Sequence, residues 1–349
     1  FANLAKARKN NIIPRVNFIY FFYALLNLVG LCNKNQNTGR IMRKTRYSAF
    51  TLSVLVAWAS MGSAHAIGFG SPLIQVEGPK GPAFFSLPLF RGTKDYQIGS
   101  EWGKKVVGAG DLEKSDPIFK RLAFATARYG TATAFYLGMF NGQHVMATNY
   151  HVADAYGCKS TANMLMLGKK YPCKKLFGMW TDIDFALFAI EVPAKDEASL
   201  KAVGQNFAFN LSIFPGQEII TMGFGVAGNN GQKDLMVNQD SDCKVFSSRD
   251  EFRFMGDPDE FNPGPYKSWS FANGCDVSHG DSGSSFVDRK SGEIMGLVWT
   301  GRIPKSAKIQ DSRYLDQLIK NQGDDIWAEL TYSVPAIKIR EHLRKVIDD

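Results

Sequence analysis

The sequence predicts an all-β body closed by one C-terminal helix, either a sandwich or a pair of barrels. Three observations carry this. Apolar residues come in short runs separated by Gly, Asn and Pro, at 132–140, 144–148, 185–192, 218–224 and 294–299, which is the length and punctuation of antiparallel strands. The first two runs are joined by Asn141-Gly142, the dipeptide that tight hairpins favour. Only the end of the chain has a helical period. Between Val334 and Ile347 the residues Ile339, Leu343 and Val346 recur on one face, Pro335 sits where a first turn tolerates proline, and basic residues gather near the terminus.

Taken in order, the chain opens with a leader. Residues 42–66 have the layout of a secretory signal peptide. Met42-Arg43-Lys44-Thr45-Arg46 is a positive segment, and Ala49 to Trp58 is apolar but too short to span a bilayer. Ala64 and Ala66 are the small pair at a cleavage site. The mature chain is expected to start near Ile67 and to be secreted or periplasmic, without stable membrane association. Residues 1–41 begin with Phe1 and precede the first methionine, Met42. They are expected to be translated upstream sequence, although Asn17 to Leu31 is apolar enough for a second leader or short anchor.

The leader also explains the charge. The formal net charge is +8, from 41 basic and 33 acidic residues. Nine of the basic residues fall in 1–66, which hold no Asp or Glu, so 32 basic face 33 acidic residues in 67–349, a net of −1. No basic face for nucleic acid or lipid follows. No P-loop and no Gly-x-Gly-x-x-Gly is present, so neither a nucleotide nor any other cofactor is expected.

Cys32 belongs to the leader, which leaves Cys158, Cys173, Cys243 and Cys275. An even number in an exported chain points to two disulfides with three possible connectivities. The expected pairs are sequence neighbours, Cys158–Cys173 and Cys243–Cys275, each closing a loop worth roughly 3 kcal/mol. Zinc would want CxxC or HxxxH spacings, and none exists, so no metal is expected. The mature length of about 280 residues suits one large domain or two ordinary ones. Residues 303–329 are polar without clear period and read as a long surface insertion.

The chemistry concentrates in Ser278-His279-Gly280-Asp281-Ser282-Gly283-Ser284-Ser285-Phe286. A serine hydroxyl becomes a nucleophile only beside a base, normally an imidazole oriented by a carboxylate. Of the four histidines after the leader, His144 lies within a strand, His342 on the outer side of the last helix, and His279 too close along the turn to curl back onto Ser282. His151 instead leaves the end of the strand in Ala147-Thr148-Asn149-Tyr150-His151-Val152, where it can face a cleft. Asp184 stands before the apolar run Phe185-Ala186-Leu187-Phe188, which would pin it in a buried position. An α/β-hydrolase elbow is excluded because Ser284 occupies the place of its second glycine, and no parallel βαβ pattern surrounds it.

These three segments, in the order His151, Asp184, Ser282, resemble the signature segments of the chymotrypsin-type (trypsin-like) serine proteases. The Asn149-x-His151 form and the Gly283-Ser284 pair are similar to the bacterial, glutamyl-endopeptidase-like branch. The resemblance covers roughly residues 106–349. It implies two six-stranded antiparallel β-barrels, about 106–205 and 206–349, with the site between them. It also implies a His151–Asp184–Ser282 triad, an oxyanion hole from the N–H groups of Gly280 and Ser282, and protein or peptide substrates cut by a monomer.

Asp276, six residues before Ser282, stands where a specificity carboxylate would select Arg or Lys, and a structural role for it stays open. Thr300 and Gly301 resemble the segment that pairs with the substrate backbone, though Trp299-Thr300 departs from the family's Ser-Trp order and Ser285 replaces a usual proline. Asp281 resembles the carboxylate that pairs with a newly cut amino terminus in zymogen activation. Lys104-Lys105-Val106-Val107-Gly108 would supply that terminus, making 67–105 a removable pro-segment. The alternative is a fixed internal Arg or Lys partner for Asp281. Two further readings of the chain are a catalytically inactive binding protein on the same fold and an adhesion protein in which the triad is coincidental.

Overall fold

A computed structural model describes residues 92–208, 212–257, 267–301 and 306–347, with the side chains of 344–347 left aside. The signal-peptide segment and the first part of the expected pro-segment, up to residue 91, lie outside the described residues. The strands are β1 (Lys104–Val106), β2 (Thr126–Tyr129), β3 (Ala132–Phe140), β4 (Gln143–Thr148), β5 (Thr161–Met164), β6 (Lys169–Trp180) and β7 (Phe185–Ile190). They continue with β8 (Ile219–Gly223), β9 (Met236–Asn238), β10 (Arg253–Gly256), β11 (Lys267–Asn273), β12 (Ser285–Asp288), β13 (Ile294–Thr300) and β14 (Thr331–Pro335). The α-helices are α1 (Ala109–Lys114), α2 (Pro117–Ala125), α3 (Tyr150–Tyr156), α4 (Glu197–Lys201), α5 (Ser312–Asn321), α6 (Asp325–Glu329) and α7 (Ala336–Ile347).

Strands β2 to β7 close into a six-stranded antiparallel barrel in the order β2-β3-β4-β7-β6-β5. Its β3–β4 hairpin turns at Asn141 (φ 48°) and Gly142 (φ 72°), both in the left-handed region that a tight I′ turn demands. The second set runs β9-β8-β12-β13-β14-β11, flanked by β1 on β9 and β10 on β11. It closes through the segment after β9. Lys244 pairs with Glu218 ahead of β8, and Val245 pairs with Asn273 at the end of β11. Hydrogen bonds from Ile219 N to Cys243 O (3.2 Å) and Gly274 N to Lys244 O (3.0 Å) seal both seams. The chain therefore has the trypsin-like double-barrel architecture with a closing C-terminal helix, as the resemblance implies.

The continuous apolar runs follow from burial on both strand faces. Along β4 and β7, Val145, Ala147, Phe185 and Leu187 face a shared core between the barrels, while Met146, Phe188 and Ile190 fill the first barrel. On β13, Ile294, Leu297 and Trp299 face the shared core, and Met295 and Val298 fill the second barrel. A strand wedged this way shows no alternation.

Within the expected surface insertion 303–329, residues 306–329 are not an insertion on the surface. In the part described, Ile309, Leu315, Leu318, Ile326 and Trp327 are buried in the shared core. Asp311 starts α5 by accepting from Arg313 N (2.9 Å), and two leucines three apart suffice to dock one face of a ten-residue helix. Helix α2 was also unannounced by its sequence, although Asp116 caps it from outside (Phe119 N, 2.8 Å) and Pro117 opens it.

Both expected disulfides are formed, Cys158–Cys173 and Cys243–Cys275. The second ties the segment that closes the second barrel to the base of the loop carrying Ser282. Its loop of 32 residues sets the expected effect of removal. The double substitution Cys243→Ser/Cys275→Ser should lower stability in urea unfolding by roughly 3–4 kcal/mol, with a matching fall in the unfolding midpoint.

Candidate active site

The end of β4 delivers His151. Thr148 is the last strand residue, Asn149 is extended (φ −74°, ψ 155°), and α3 starts at once, so His151 stands in its first turn with an N–H that has no helical partner. Asp184 supplies the acceptor. Its Oδ1 accepts from His151 N (3.0 Å) and its Oδ2 from His151 Nδ1 (2.8 Å), while its own carbonyl accepts from Asn149 Nδ2 (2.9 Å). The carboxylate is fully buried, and its residue holds φ 39°, a left-handed conformation that Asp tolerates better than most. A carboxylate already accepting a backbone N–H takes the imidazole's Nδ1–H as well. Nε2 is then the basic nitrogen.

Burial disfavours the charged imidazole. The Asp184 carboxylate, by charge and hydrogen bond, and the charge of Asp257 outweigh it, so the His151 pKa lies above its ordinary value. Asp257 also accepts from Thr300 Oγ1 (2.9 Å), which brings the expected substrate-pairing segment to the His151 neighbourhood. Nothing in the sequence marked Asp257.

The loop 274–284 between β11 and β12 carries Ser282, which is half-buried. It is stitched to its own barrel by Gly283 N to Val298 O (3.0 Å) and to the first barrel through Thr133 of β3. Thr133 N donates to Ser282 O (2.9 Å), and Thr133 Oγ1 donates to Gly280 O (2.7 Å). Thr148 Oγ1 in turn donates to Thr133 O (2.7 Å), so two links separate the serine's backbone from the strand end that delivers His151.

Two carbonyls aim the expected oxyanion donors. A trans peptide points its C=O and N–H in opposite directions. His279 O accepts from Val226 N (2.8 Å), which turns the Gly280 N–H the other way. Asp281 O accepts from Ser284 N (2.8 Å), which does the same for the Ser282 N–H. Among the described residues neither N–H has a protein acceptor. Gly280 adopts φ 96°, and a Cβ there would run into the Gln232 amide and Phe224 O, so only glycine fits.

Asp276 faces inward. It is fully buried, Oδ1 accepts from Ile98 N (2.7 Å) and Oδ2 from Gly103 N (2.6 Å). Burial pushes its pKa up to about 7, against the pull of those two N–H groups and with help from Asp240. Gly301 packs on Val277, where an added Cβ would lie 2.9 Å from Val277 Cγ2. Asp281 has an internal partner, Lys104 Nζ, at 2.7 Å from Oδ1 and 2.5 Å from Oδ2.

The other histidines are engaged elsewhere. His144 is buried against Tyr136 OH (2.7 Å), His279 stands edge-on to Tyr96, and His342 meets Asp182 Oδ2 (3.0 Å), docking α7 on the turn that leads to Asp184. Among the described residues no group of side chains is arranged to hold a metal ion, and no helix is long and apolar enough to cross a membrane.

No protein-family model matches the chain, and no curated protein matches it. Among solved structures it is similar to a serine-to-alanine mutant of Rv3671c from M. tuberculosis H37Rv in an inactive form, at 17% identity over 69% of this chain and 96% of that one, with a TM-score of 0.43. It is also similar to the HtrA-type protease AlgW with decapeptide, at 13% identity over 62% of this chain and 52% of that one, with a TM-score of 0.38.

Thr133→Val keeps the shape of the side chain but removes the hydroxyl that Gly280 O and Phe224 N share. It should cost about 1–3 kcal/mol in denaturant unfolding and slow labelling of Ser282 by a sulfonyl fluoride. Thr133→Ser should keep both near the parental values.

Proposed function

We propose that the protein is an exported serine endopeptidase of chymotrypsin type, with Ser282 as nucleophile, His151 as general base and acid, and Asp184 as the orienting carboxylate. The observation that carries this reading is the two-point grip of the buried Asp184 carboxylate on His151 N and Nδ1. That grip presents a basic Nε2 from the barrel onto which the Ser282 loop is bonded. Export is supported by the two disulfides and by the leader pattern at 42–66. The substrates are proteins or peptides and the enzyme acts as a monomer. Kinship with the bacterial glutamyl-endopeptidase-like branch rests on Asn149 and on the Gly283-Ser284 pair alone.

In this mechanism Ser282 Oγ attacks the peptide carbonyl carbon while His151 Nε2 takes its proton. Asp184 stabilises the imidazolium so formed. The carbonyl oxygen becomes an oxyanion that accepts from the N–H groups of Gly280 and Ser282. The C–N bond then breaks, His151 gives its proton to the leaving amine, and a water repeats the sequence on the acyl-enzyme. Thr300 and Gly301 border the loop and pair with the substrate backbone. Asp276 is a tether for the 98–103 segment in this reading, with both oxygens occupied, and does not select Arg or Lys. Asp276→Asn should therefore leave the cleavage-site preference on a peptide library unchanged, and a lost preference for basic residues would restore the specificity role.

Ser282→Ala and His151→Ala should each lower kcat by about 10⁴-fold or more with the fold intact by circular dichroism. Parental turnover in purified Ser282→Ala protein would end the proposal. The pH profile tests Asp184. Since His151 must be neutral to act as base and its pKa is raised, the acid limb of kcat/KM should lie above the ordinary imidazole value of about 6.5, with activity lost as pH falls through it. Asp184→Asn should cut kcat by about 10⁴-fold and move that limb down.

A further inference from the structure

We propose that Lys104 is a positioning residue for the oxyanion N–H groups and that it makes the serine loop competent without cleavage at Lys105–Val106. The proposal rests on the protease reading above. Asp281 lies between the two residues whose N–H groups would receive the oxyanion. Its carboxylate is buried and saturated, Oδ1 by Lys104 Nζ and Gly225 N (2.9 Å), Oδ2 by Lys104 Nζ and Ser278 N (2.9 Å). With Asp281 N donating to Ser278 O (3.0 Å) and Asp281 O accepting from Ser284 N, the carboxylate and both flanking peptide planes move only as one piece. Whatever holds the carboxylate holds the direction of the Ser282 N–H.

The group that holds it is an ammonium from a distant strap. The Lys104 side chain is 2% exposed, a burial that lysine accepts only when paired. Its backbone is fixed on β1 opposite Asn238 of β9. On one side Ile98 N and Gly103 N are clasped by Asp276, and on the other Val107 N donates to Leu235 O (2.8 Å). Residues 96–105 are therefore built into the second barrel, and in this proposal they stay there instead of leaving as the end of a pro-segment. A cut after Lys105 would leave Lys104 on the departing piece. The new terminus at Val106 sits about 7 Å of strand away and would have to displace an ammonium already bonded to both carboxylate oxygens.

The test uses the exported protein with its amino terminus and intact mass established by mass spectrometry. Lys105→Gln removes the dibasic step at an exposed side chain. It is expected to keep kcat, KM and sulfonyl fluoride labelling within about twofold of parent, in a chain still continuous through Val106. Lys104→Met is expected to lower kcat by about 10²–10³-fold with little change in KM. It should weaken a peptide boronate, whose tetrahedral adduct needs the oxyanion donors, by a similar factor, and leave affinity for the same peptide without boron unchanged. Lys104→Arg, which keeps the cation, should recover part of both losses, and it carries the comparison if the methionine variant does not fold. Parental kcat in Lys104→Met overturns the proposal, as does equal loss of peptide and boronate binding, or loss of activity in Lys105→Gln. A parent that neither cleaves peptides nor takes up the label refutes the protease reading instead.

Discussion

Thr133 is the point at which the two halves of the candidate site meet, and every polar atom it owns is committed there. Its N–H holds Ser282 O, its hydroxyl bridges Gly280 O and Phe224 N, and its carbonyl takes Thr148 Oγ1, all within a residue that is fully buried. The serine loop belongs to the second barrel and His151 to the first. Apolar packing between the barrels supplies most of the attraction but is non-directional and tolerates sliding. A site that needs an oxygen and a nitrogen in register to within about 0.5 Å cannot rest on that. The bonds through Thr133 supply direction, and because they are buried, a shift that broke them would leave unpaired polar groups behind.

Three buried carboxylates surround this joint, and each is kept in place by a different counterpart. Asp184 is met by an imidazole and a backbone N–H, Asp281 by an ammonium and two backbone N–H groups, and Asp276 by two backbone N–H groups alone. Asp276, with no cation hydrogen-bonded to it, is pushed up to about 7 by its burial, the behaviour expected when desolvation outweighs hydrogen bonding. Asp184 has a partner that can itself become charged, and a buried carboxylate so placed would stabilise the imidazolium if His151 took up a proton.

How much of this was legible in the sequence depended on how local each feature is. The hairpin turn at Asn141-Gly142, the strand runs and the closing helix are written in neighbouring residues, and all are present. His151, Asp184 and Ser282 stood out as candidates because the chemistry demands those side chains within short, typical contexts, and the structure brings the first two together. Thr133, Lys104 and Asp257 were not. Thr133 is one more β-branched residue in a strand, and its role exists only once Gly280, 147 residues away, has folded against it. Lys104 looked like half of a dibasic cleavage site because charge pairs read as exposed. Its burial is imposed by Asp281, 177 residues on. The 303–329 stretch misled for a related reason, since a helix docked by Leu315 and Leu318 among polar residues has too few apolar positions to show a period.

The two halves of the site therefore differ in how they are stabilised. The His151–Asp184 pair spans 33 residues within a single closed barrel, so its geometry forms with that barrel's own folding. The serine loop depends on contacts 147 to 178 residues apart in sequence, from Thr133, Lys104 and Ile98, together with one disulfide. Contacts of such separation carry a larger loop-closure cost. The disulfide between Cys243 and Cys275 lowers that cost at the base of the loop, but it does not reach the Gly280–Ser282 turn. The turn takes its order from the strap at one side and Thr133 at the other. Loosening either contact would release the Gly280–Ser282 turn before it disturbed the His151–Asp184 pair, so the long-range clasps on the serine loop, and not the His151–Asp184 hydrogen bonds, decide whether the candidate site stands assembled.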